Sequence, residues 1–442
     1  MKNFQKKLGG VAILGLGLAA SLATVPTNAT AASVEMGVQV RYRGEADARD
    51  FNDQTGADVV HSERARLTAK IKEGRYHAFL QIQDARVWGA EVDSNGDPAI
   101  DTLTSSSANG LDMHQAFLKV DDVFGTGIGI QAGRQEINFA DQRLVGAEDW
   151  DQNARSLDGI IFSRAFGDAG VIVPFYLQLV ENDTLVTAAD GNNEGKDHDI
   201  WVAGFHSAWN IAEGQSLQPH LYVVRAGLIS ETIYTLGVYY QGTAGPLSWD
   251  VTGDYQTGKA GNADINAYMA AGNISFQTGP VMVSAGCDYL SGDDGHDADK
   301  IKSFTTLLGS NHEFYGAMDY FDFNVLSAVN DGARFVRGLG LIDPHVKASY
   351  QIEQNTTADA AVHYFMTAEK EKAILADANG KGVDQLGTEL DLSVKHQTGP
   401  VTVRVGYSAF FQDDAMEALA AQGTNNEDVT HWGYVMASIA LP

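Results

Sequence analysis

A two-faced hairpin built around a glycine-proline turn recurs along this chain and limits what it can fold into. After Gly399-Pro400, one side of the chain carries Val401, Val403, Val405 and Tyr407, and the other carries Thr402, Arg404, Gly406 and Ser408. A period of two residues predicts a β-strand with one apolar and one polar face. The pattern recurs around Gly279-Pro280 and Gly245-Pro246. Repeated in a secreted chain, it predicts a barrel with lipid outside and water inside.

The N-terminus has the three parts of a secretory signal. These are the basic residues Lys2, Lys6 and Lys7, the apolar run from Leu8 to Leu22, and the small-residue cleavage site Ala29-Thr30-Ala31. We therefore predict a signal peptide over residues 1–32 and a single barrel domain over residues 33–442. Because no other stretch approaches eighteen consecutive apolar residues, the sequence predicts no transmembrane helix.

The chain is strongly acidic, with a formal net charge of −27 at pH 7. Since nucleic acid is itself densely negative, this charge excludes it as a partner. We expect outer-membrane lipid, lipopolysaccharide and the barrel-assembly machinery as partners, while the oligomeric state stays open. Cys287 is the only cysteine, so no intramolecular disulfide can form. No cofactor is expected.

Alternating runs follow one another through the whole chain, and counting them gives eighteen strands. The predicted strands cover residues 34–46, 60–72, 75–88, 110–121, 127–137, 157–166, 170–182, 197–210, 216–226, 231–242, 246–257, 264–277, 280–291, 338–354, 358–369, 384–397, 400–411 and 428–441. Sixteen strands are the alternative, because the phase of the fifth, sixth, eighth and fourteenth runs is ambiguous. Short turns alternate with long acidic connections, which is typical of outer-membrane barrels. We therefore predict an all-β fold, a transmembrane antiparallel β-barrel, rather than a soluble β-sandwich or β-helix.

The longest connection, residues 292–337, is too apolar for a loop in solvent. It contains Phe304, Leu307, Leu308, Phe314, Tyr315, Tyr320 and Phe321. We therefore predict that this external loop folds inward or caps the barrel. Short helices are expected at Ala368–Ala378 and Asp414–Ala421.

One segment, residues 133–159, resembles the alginate export family of outer-membrane barrels. The residues that carry the resemblance are Gly133, Arg134, Gln135, Arg143, Gly146, Trp150, Gln152 and Arg155. The stretches NHEFYGAMDYF (311–321) and VRYRGEA (40–46) are also similar to the family. The resemblance implies an eighteen-stranded outer-membrane barrel, and the best-known member exports an anionic polysaccharide through a strongly basic lumen. It also implies a role for Arg134, Arg143 and Arg155 at a constriction.

Taking the polar phase of each strand as lumen-facing predicts a pore of mixed charge, in which a basic wall faces a more acidic one. The basic residues include Arg41, Arg43, Arg64, Arg66, Lys70, Lys395 and Arg404, and the acidic residues include Asp250, Asp254, Asp288, Glu389 and Asp391. Opposed charges set up a field across the pore that orients polar solutes. Simple alternation puts Arg134 on the same, apolar face of its strand as Ile128 and Ile130. A β-bulge, which would turn the side chain inward, or a position at the rim of the barrel would explain a charged residue there.

Two acidic stretches have features of ion sites, but neither predicts a metal site. Residues 93–97 begin like a calcium loop, but Pro98 stands where that loop needs glycine. Asp293, Asp294, His296, Asp297 and Asp299 could hold a divalent ion, although a solvated loop is the simpler interpretation.

These features predict an outer-membrane porin of a Gram-negative bacterium that passes hydrophilic, anionic small solutes or saccharides passively. A dedicated exporter of an anionic polysaccharide is the alternative within the same class. A barrel-borne hydrolase and a purely structural barrel are alternatives of other classes. A hydrolase needs Ser, His and Asp groups within hydrogen-bond reach, and the histidines of this sequence form no recognisable constellation. We therefore expect no enzyme and no catalytic residues.

Overall fold

The computed structural model describes residues 32–88, 110–181, 199–227, 231–323, 337–370, 381–420 and 427–442. Eighteen antiparallel strands form one closed barrel, in which each strand pairs with the next along the chain. The first and last strands complete the closure, with Tyr42 opposite Ala437. A two-residue strand, Lys300–Ile301, pairs in parallel with Asp264 and Ile265 at the rim of the barrel.

The strands are numbered β1 to β18 in chain order. They are β1 Ser33–Ala48, β2 Asp58–Glu73, β3 Tyr76–Val87, β4 Gly110–Val120, β5 Ile128–Gln135, β6 Leu157–Ala165, β7 Gly170–Val180, β8 Ile200–Ala212, β9 Gln215–Ala226, β10 Glu231–Ala244, β11 Leu247–Ala260, β12 Ala263–Thr278, β13 Val281–Leu290, β14 Leu341–Glu353, β15 Thr356–Met366, β16 Gln385–Thr398, β17 Val401–Gln412 and β18 Val429–Leu441. The prediction of eighteen strands is confirmed, and the alternative of sixteen is wrong. No predicted strand end differs from the observed one by more than three residues.

Large apolar side chains lie on the outside of the barrel. The inward side chains are polar on β1 and β2, but many are apolar where the inner loops pack against the wall, as at Phe175, Tyr222 and Phe410. In β17, Val405 and Tyr407 are exposed on the outer face, whereas Gly406 and Ser408 are buried. Exposed large apolar side chains recur on the other strands as well. A surface of this kind is stable only against lipid, so the wall has the character of a transmembrane barrel.

The three glycine-proline turns lie at the same end of the barrel as both chain termini. Gly245, Gly279 and Gly399 have φ of +59°, +54° and +56°, which side chains with a Cβ avoid. Two-residue hairpins of this type match the twist of the strands they join. The opposite end carries the long connections, with two exceptions. Only residues 227–230 join β9 to β10, and Gly261 and Asn262 form a tight turn between β11 and β12.

Two of the long connections fold into the barrel and pair with each other. Leu308 donates its N–H to the carbonyl of Leu144 at 2.9 Å, and Gly146 donates to the carbonyl of Leu308 at 2.9 Å. Val145, Leu307 and Leu308 are fully buried between them. Residues 136–156 and 304–323 are therefore called the paired inner loops. The predicted inward folding of the connection at residues 292–337 is confirmed for residues 304–323, whereas most of residues 295–300 are exposed.

The predicted helix at residues 414–421 is present as α1, Asp414–Ala420. Most of the helix predicted at 368–378 lies outside the described residues, and residues 368–370 are not helical. The predicted signal peptide, apart from residue 32, and the calcium-like stretch at 93–97 also lie outside them. In the described part of the chain, no helix has the length and apolar character needed to span a bilayer.

Candidate functional site

The tip of the inner loop 136–156 is held by arginines on β1 and β2. Arg41 donates from Nε to Gln152 Oε1 at 2.8 Å, and from its Nη atoms to the carbonyls of Asp149 and Asp151, both at 2.6 Å. Arg43 donates to the carbonyl of Trp150 at 3.0 Å and lies over the Trp150 ring at 4.6 Å. These bonds bring one loop into contact with the strand wall at successive backbone carbonyls.

The register of β1 and β2 explains why this loop carries a carboxylate. Arg41 stands directly opposite Arg64, and like charges in that position repel each other. The Asp149 carboxylate offsets the repulsion, because its Oδ1 lies 2.8 Å from Arg64 Nη1 and 3.3 Å from Arg66 Nη1. Partial desolvation would raise the pKa of Asp149, but the charge and hydrogen bond of Arg64, with Arg41 and Arg66, hold it below its usual value. Asp149 therefore binds the arginine cluster in its ionised form.

A buried ion pair attaches the same loop to another part of the wall. Arg143 Nη1 lies 2.5 Å from Asp288 Oδ2 on β13, and the two side chains are 2% and 0% exposed. The Arg143 guanidinium also lies 3.3 Å from Asp141 Oδ2 and 4.0 Å from the centre of the Phe314 ring. Arg143 thus connects both inner loops to β13.

Arg155 joins the two inner loops to each other. It forms an ion pair with Glu148 and donates to the carbonyls of Gly146 and Leu308, at 3.0 and 2.5 Å. The Arg155 guanidinium is therefore already bonded to backbone carbonyls and a carboxylate of the protein. Arg143 and Arg155 of the motif at residues 133–159 hold the inner loops in place.

The second inner loop is seated on β16 through the stretch at residues 311–321. Glu389 is fully buried and accepts the N–H of Met318 at 2.9 Å. Gly316 has a φ of +82°, and a Cβ there would lie 2.6 Å from both oxygens of the Glu389 carboxylate. Only glycine lets the loop approach Glu389 this closely. Tyr320 and Thr430 share a hydrogen bond of 2.6 Å at the far end of the stretch.

The remaining predicted residues of the barrel interior lie on three strands. Asp250 of β11 accepts from Asn273 at 3.1 Å, and Asp254 accepts from His220 at 2.7 Å. Asp391 of β16 accepts from Ser408 at 2.5 Å. β11 lies ten strands along the sheet from β1, on the far side, whereas β16 is close to β1 across the closure. The acidic residues therefore do not form one wall opposite the arginines.

Arg404 of β17 differs from the other arginines of the interior. It stands opposite Lys395 on one side and Met436 on the other. Among the described residues it forms no ion pair, whereas Arg41, Arg43, Arg64 and Arg66 each pair with a carboxylate, and its Nε has no hydrogen-bond partner. Arg404 therefore places a cation beside Arg43, which pairs with Met436 from the other side.

Arg134 lies apart from this group. It follows the outward phase of β5, next to the fully buried Gln135, and pairs with Asp158 of β6 at 3.2 Å. Asp158 shares the outer phase because its neighbour Leu157 points into the buried core. This corrects the assignment of Arg134 to the pore, because the alternation of β5 continues through this residue without returning it to the inside.

Sequence reasoning missed an acidic cluster where the inner loops meet. Burial raises the pKa of Glu148 to about 7, with Arg155 opposing and Asp151, Asp322 and Asp319 adding to the rise. His312 stacks on Trp150 with ring centres 4.0 Å apart and lies 2.8 Å from Asp319 through Nδ1. The run Glu148-Asp149-Trp150-Asp151 was visible in the sequence, but its partners come from a loop more than 160 residues away. The acidic stretch at 293–299 lies elsewhere and pairs with Lys300 and Lys302.

Comparisons with known proteins agree with this architecture. The family model described as alginate export matches residues 32–430. The fold is similar to OccK8 (OprE) of Pseudomonas aeruginosa, with a TM-score of 0.60, 14% identity, and coverage of 93% of this chain and 98% of that one. It is similar to OccAB4 of Acinetobacter baumannii, with a TM-score of 0.58, 12% identity, and coverage of 94% and 100%. It is also similar to the outer membrane protein OprD of Pseudomonas aeruginosa, with a TM-score of 0.58, 10% identity, and coverage of 92% and 94%. No match was found among curated proteins.

Proposed function

Because this outer-membrane β-barrel belongs to the alginate export family, we propose that it is a passive channel for small hydrophilic anions, including acidic saccharides. The observation that carries the proposal is an excess of positive charge on one part of the lumen. We call this part the basic face and define it as Arg41, Arg43, Arg64, Arg66, Lys395 and Arg404.

The charge balance of the basic face supports anions as the solute. The described ion pairs of its four arginines on β1 and β2 involve three carboxylates, those of Glu45, Glu136 and Asp149. Lys395 and Arg404 then add two further cations. Glu389 and Asp391 on the strand of Lys395 add two carboxylates, so the cations of this region still outnumber the carboxylates. A cationic surface at a narrow point raises the local concentration of anions and lowers that of cations. Arg404, which forms no ion pair with the described residues, can also hold a carboxylate through two parallel hydrogen bonds, which suits organic acids and uronic acids.

The paired inner loops favour small solutes over a polymer. They are fixed to the wall on β1, β2, β13 and β16, so a passing chain would have to thread beside them. The family description, alginate export, favours an anionic polysaccharide as the second candidate. The same basic face would serve either cargo, and transport measurements separate the two.

We also propose that the barrel performs no covalent chemistry. The family is related to export rather than to an enzymatic reaction. Outer-membrane lipid and lipopolysaccharide would surround the apolar outer surface, and the barrel-assembly machinery would insert it.

The proposal is tested with purified protein in planar bilayers and in liposomes. We expect a steady channel whose reversal potential in a KCl gradient shows a preference for chloride. Liposome swelling should be faster with small organic acids and monomeric uronates than with neutral sugars of equal size. A cation-selective channel would contradict the anion proposal. Passage of polyuronate chains at a rate comparable to the monomers would favour the polysaccharide exporter instead.

A further inference from the structure

Two histidines and an aspartate lie together on the inner face of β14 and β15. His345 and His363 stand opposite each other in register, and Asp343 precedes His345 by two residues on the same face. The three residues are 0%, 5% and 2% exposed, for Asp343, His345 and His363 in that order. The cluster is distinct from the basic face and from the acidic groups between the inner loops.

The distances within this cluster are those of a metal-ligand set. Asp343 Oδ2 lies 2.8 Å from His363 Nδ1 and 3.4 Å from His345 Nδ1. Each of the three residues offers one ligand atom within 4.8 Å of the others. Zinc binds nitrogen and oxygen ligands at about 2.0–2.2 Å in tetrahedral geometry, which leaves neighbouring ligand atoms roughly 3.4 Å apart. Small side-chain movements would therefore bring all three atoms to one ion.

The surroundings of His345 point to a cation beside its Nδ1. Its Nε2 lies 2.8 Å from Asn273 Oδ1, while its Nδ1 faces the Asp343 carboxylate and carbonyl. Both ring nitrogens thus face oxygen acceptors, although a neutral imidazole carries only one N–H. If Nε2–H donates to Asn273, then Nδ1 has a free lone pair, and a metal ion between it and the carboxylate resolves the conflict. An oxygen acceptor bonded to the other ring nitrogen fixes the orientation of a metal-binding histidine in this way.

The wall around His345 leaves room for this contact. Gly286 is the register partner of His345 on β13. A Cβ on Gly286 would lie 2.2 Å from Asn273 Oδ1 and 2.5 Å from His345 Nε2. The absence of a side chain there lets the Asn273 amide reach across β13 to the histidine.

We propose that Asp343, His345 and His363 bind one divalent transition metal ion, with zinc the best match to two imidazoles and one carboxylate. A fourth ligand, such as water, would complete the tetrahedron. The site lies behind the second inner loop, because the His363 ring stacks on Phe365 and Phe365 packs on Phe321. Bound metal would tie β14 to β15 at the place where that loop rests on the wall.

The test uses untagged, folded protein that has been stripped with EDTA and titrated with zinc chloride in a calorimeter at pH 7.5. We expect one tight site per chain, and a cobalt(II) complex with the intense visible absorption of tetrahedral coordination. Asp343→Asn keeps all twelve histidines of the chain and should weaken zinc binding at least tenfold. Asn273→Ala keeps the three ligands and should weaken zinc binding about 10- to 100-fold, because His345 loses the acceptor that orients its ring.

The matched control is His206→Gln, which removes another buried histidine, held by Tyr222 and Gln218 on other strands. Zinc affinity should be unchanged in this variant. Each variant is first checked for the heat-dependent gel shift of a folded barrel. A folded wild-type protein that binds no zinc would overturn the proposal. A protonated His345 would then explain why both of its ring nitrogens face oxygen acceptors. Equal loss of affinity in the control and in Asp343→Asn would overturn it as well.

Discussion

Asp288 on the barrel wall and Arg143 on an inner loop form a buried ion pair, with 2.5 Å between Oδ2 and Nη1. Burial of a charge is costly, and removing one partner of such a pair leaves the other uncompensated. The pair is therefore a specific attachment between the loop and β13.

Replacing Asp288 with asparagine should loosen this attachment. The loss should be about 3–5 kcal/mol, less whatever Asp141 recovers by its own contact with Arg143. We expect noisier single-channel currents and faster proteolysis of the inner loops in the folded barrel. Asp359→Asn is the control, because Asp359 is hydrogen-bonded to Ser349 on the wall, at 2.7 Å. Equal current noise in the two variants would contradict the attachment.

Arg404→Gln should reduce anion preference with little effect on stability. Its Nε has no described hydrogen-bond partner, so the substitution breaks few native contacts while removing a cation from the basic face. The measurement is the reversal potential in a KCl gradient, which should move toward zero. Arg134→Gln makes the same chemical change on the outer face and should leave the potential unchanged. A shift in the Arg134 variant alone would reverse our placement of these two residues.

The contact between the inner loops should weaken as the pH rises from about 4.5 to 7. Burial raises the pKa of Glu148 to about 7 from a usual 4.5, so the folded state holds a proton that the unfolded state releases. The stabilisation is complete below the pKa of the unfolded state and is lost as the pH rises through the pKa of the folded state. The free energy of unfolding should fall by at most about 3 kcal/mol over this range. Proteolysis of the inner loops should therefore be faster at pH 8 than at pH 5. Glu148→Gln should flatten this dependence, and an unchanged slope would rule out Glu148 as its source.

Gly316→Ala should displace the second inner loop. The new Cβ would require a strained backbone at φ +82° and would approach the Glu389 carboxylate to 2.6 Å. A cost of about 1–3 kcal/mol is expected for the backbone conformation alone. Thermal unfolding and channel conductance should both change. Gly56→Ala is the control, because a Cβ there meets no atom within 4 Å. If Gly316→Ala had the melting temperature of the wild type, the loop would accommodate the new Cβ without loss of stability, and the prediction would be wrong.

The barrel wall was predictable because its information is local. A period of two residues, interrupted by turns such as Gly399-Pro400, sets both the strand count and the face of each side chain. The same rule placed Arg134 beside Ile128 and Ile130, and the structure agrees with that phase rather than with the role implied by the family motif.

The roles of the interior residues were not predictable because their partners are distant in the chain. The family motif implies a role for Arg143 at a constriction, yet the folding of a loop brings Arg143 to Asp288, which is 145 residues away. Asp343, His345 and His363 form no sequence motif, since their proximity depends on the register between β14 and β15. Spacing along one strand does not report such contacts.

The parallel bridge between Val145 and Leu308 has a mechanical consequence. A thin cylinder of eighteen strands resists stretching but can flatten into an ellipse. The two inner loops, joined by this bridge and fixed at Arg41, Asp288 and Glu389, act as a strut across the cylinder. Lateral pressure from the lipid would then be carried through the interior, and the cross-section of the opening would stay constant while the bilayer around it deforms.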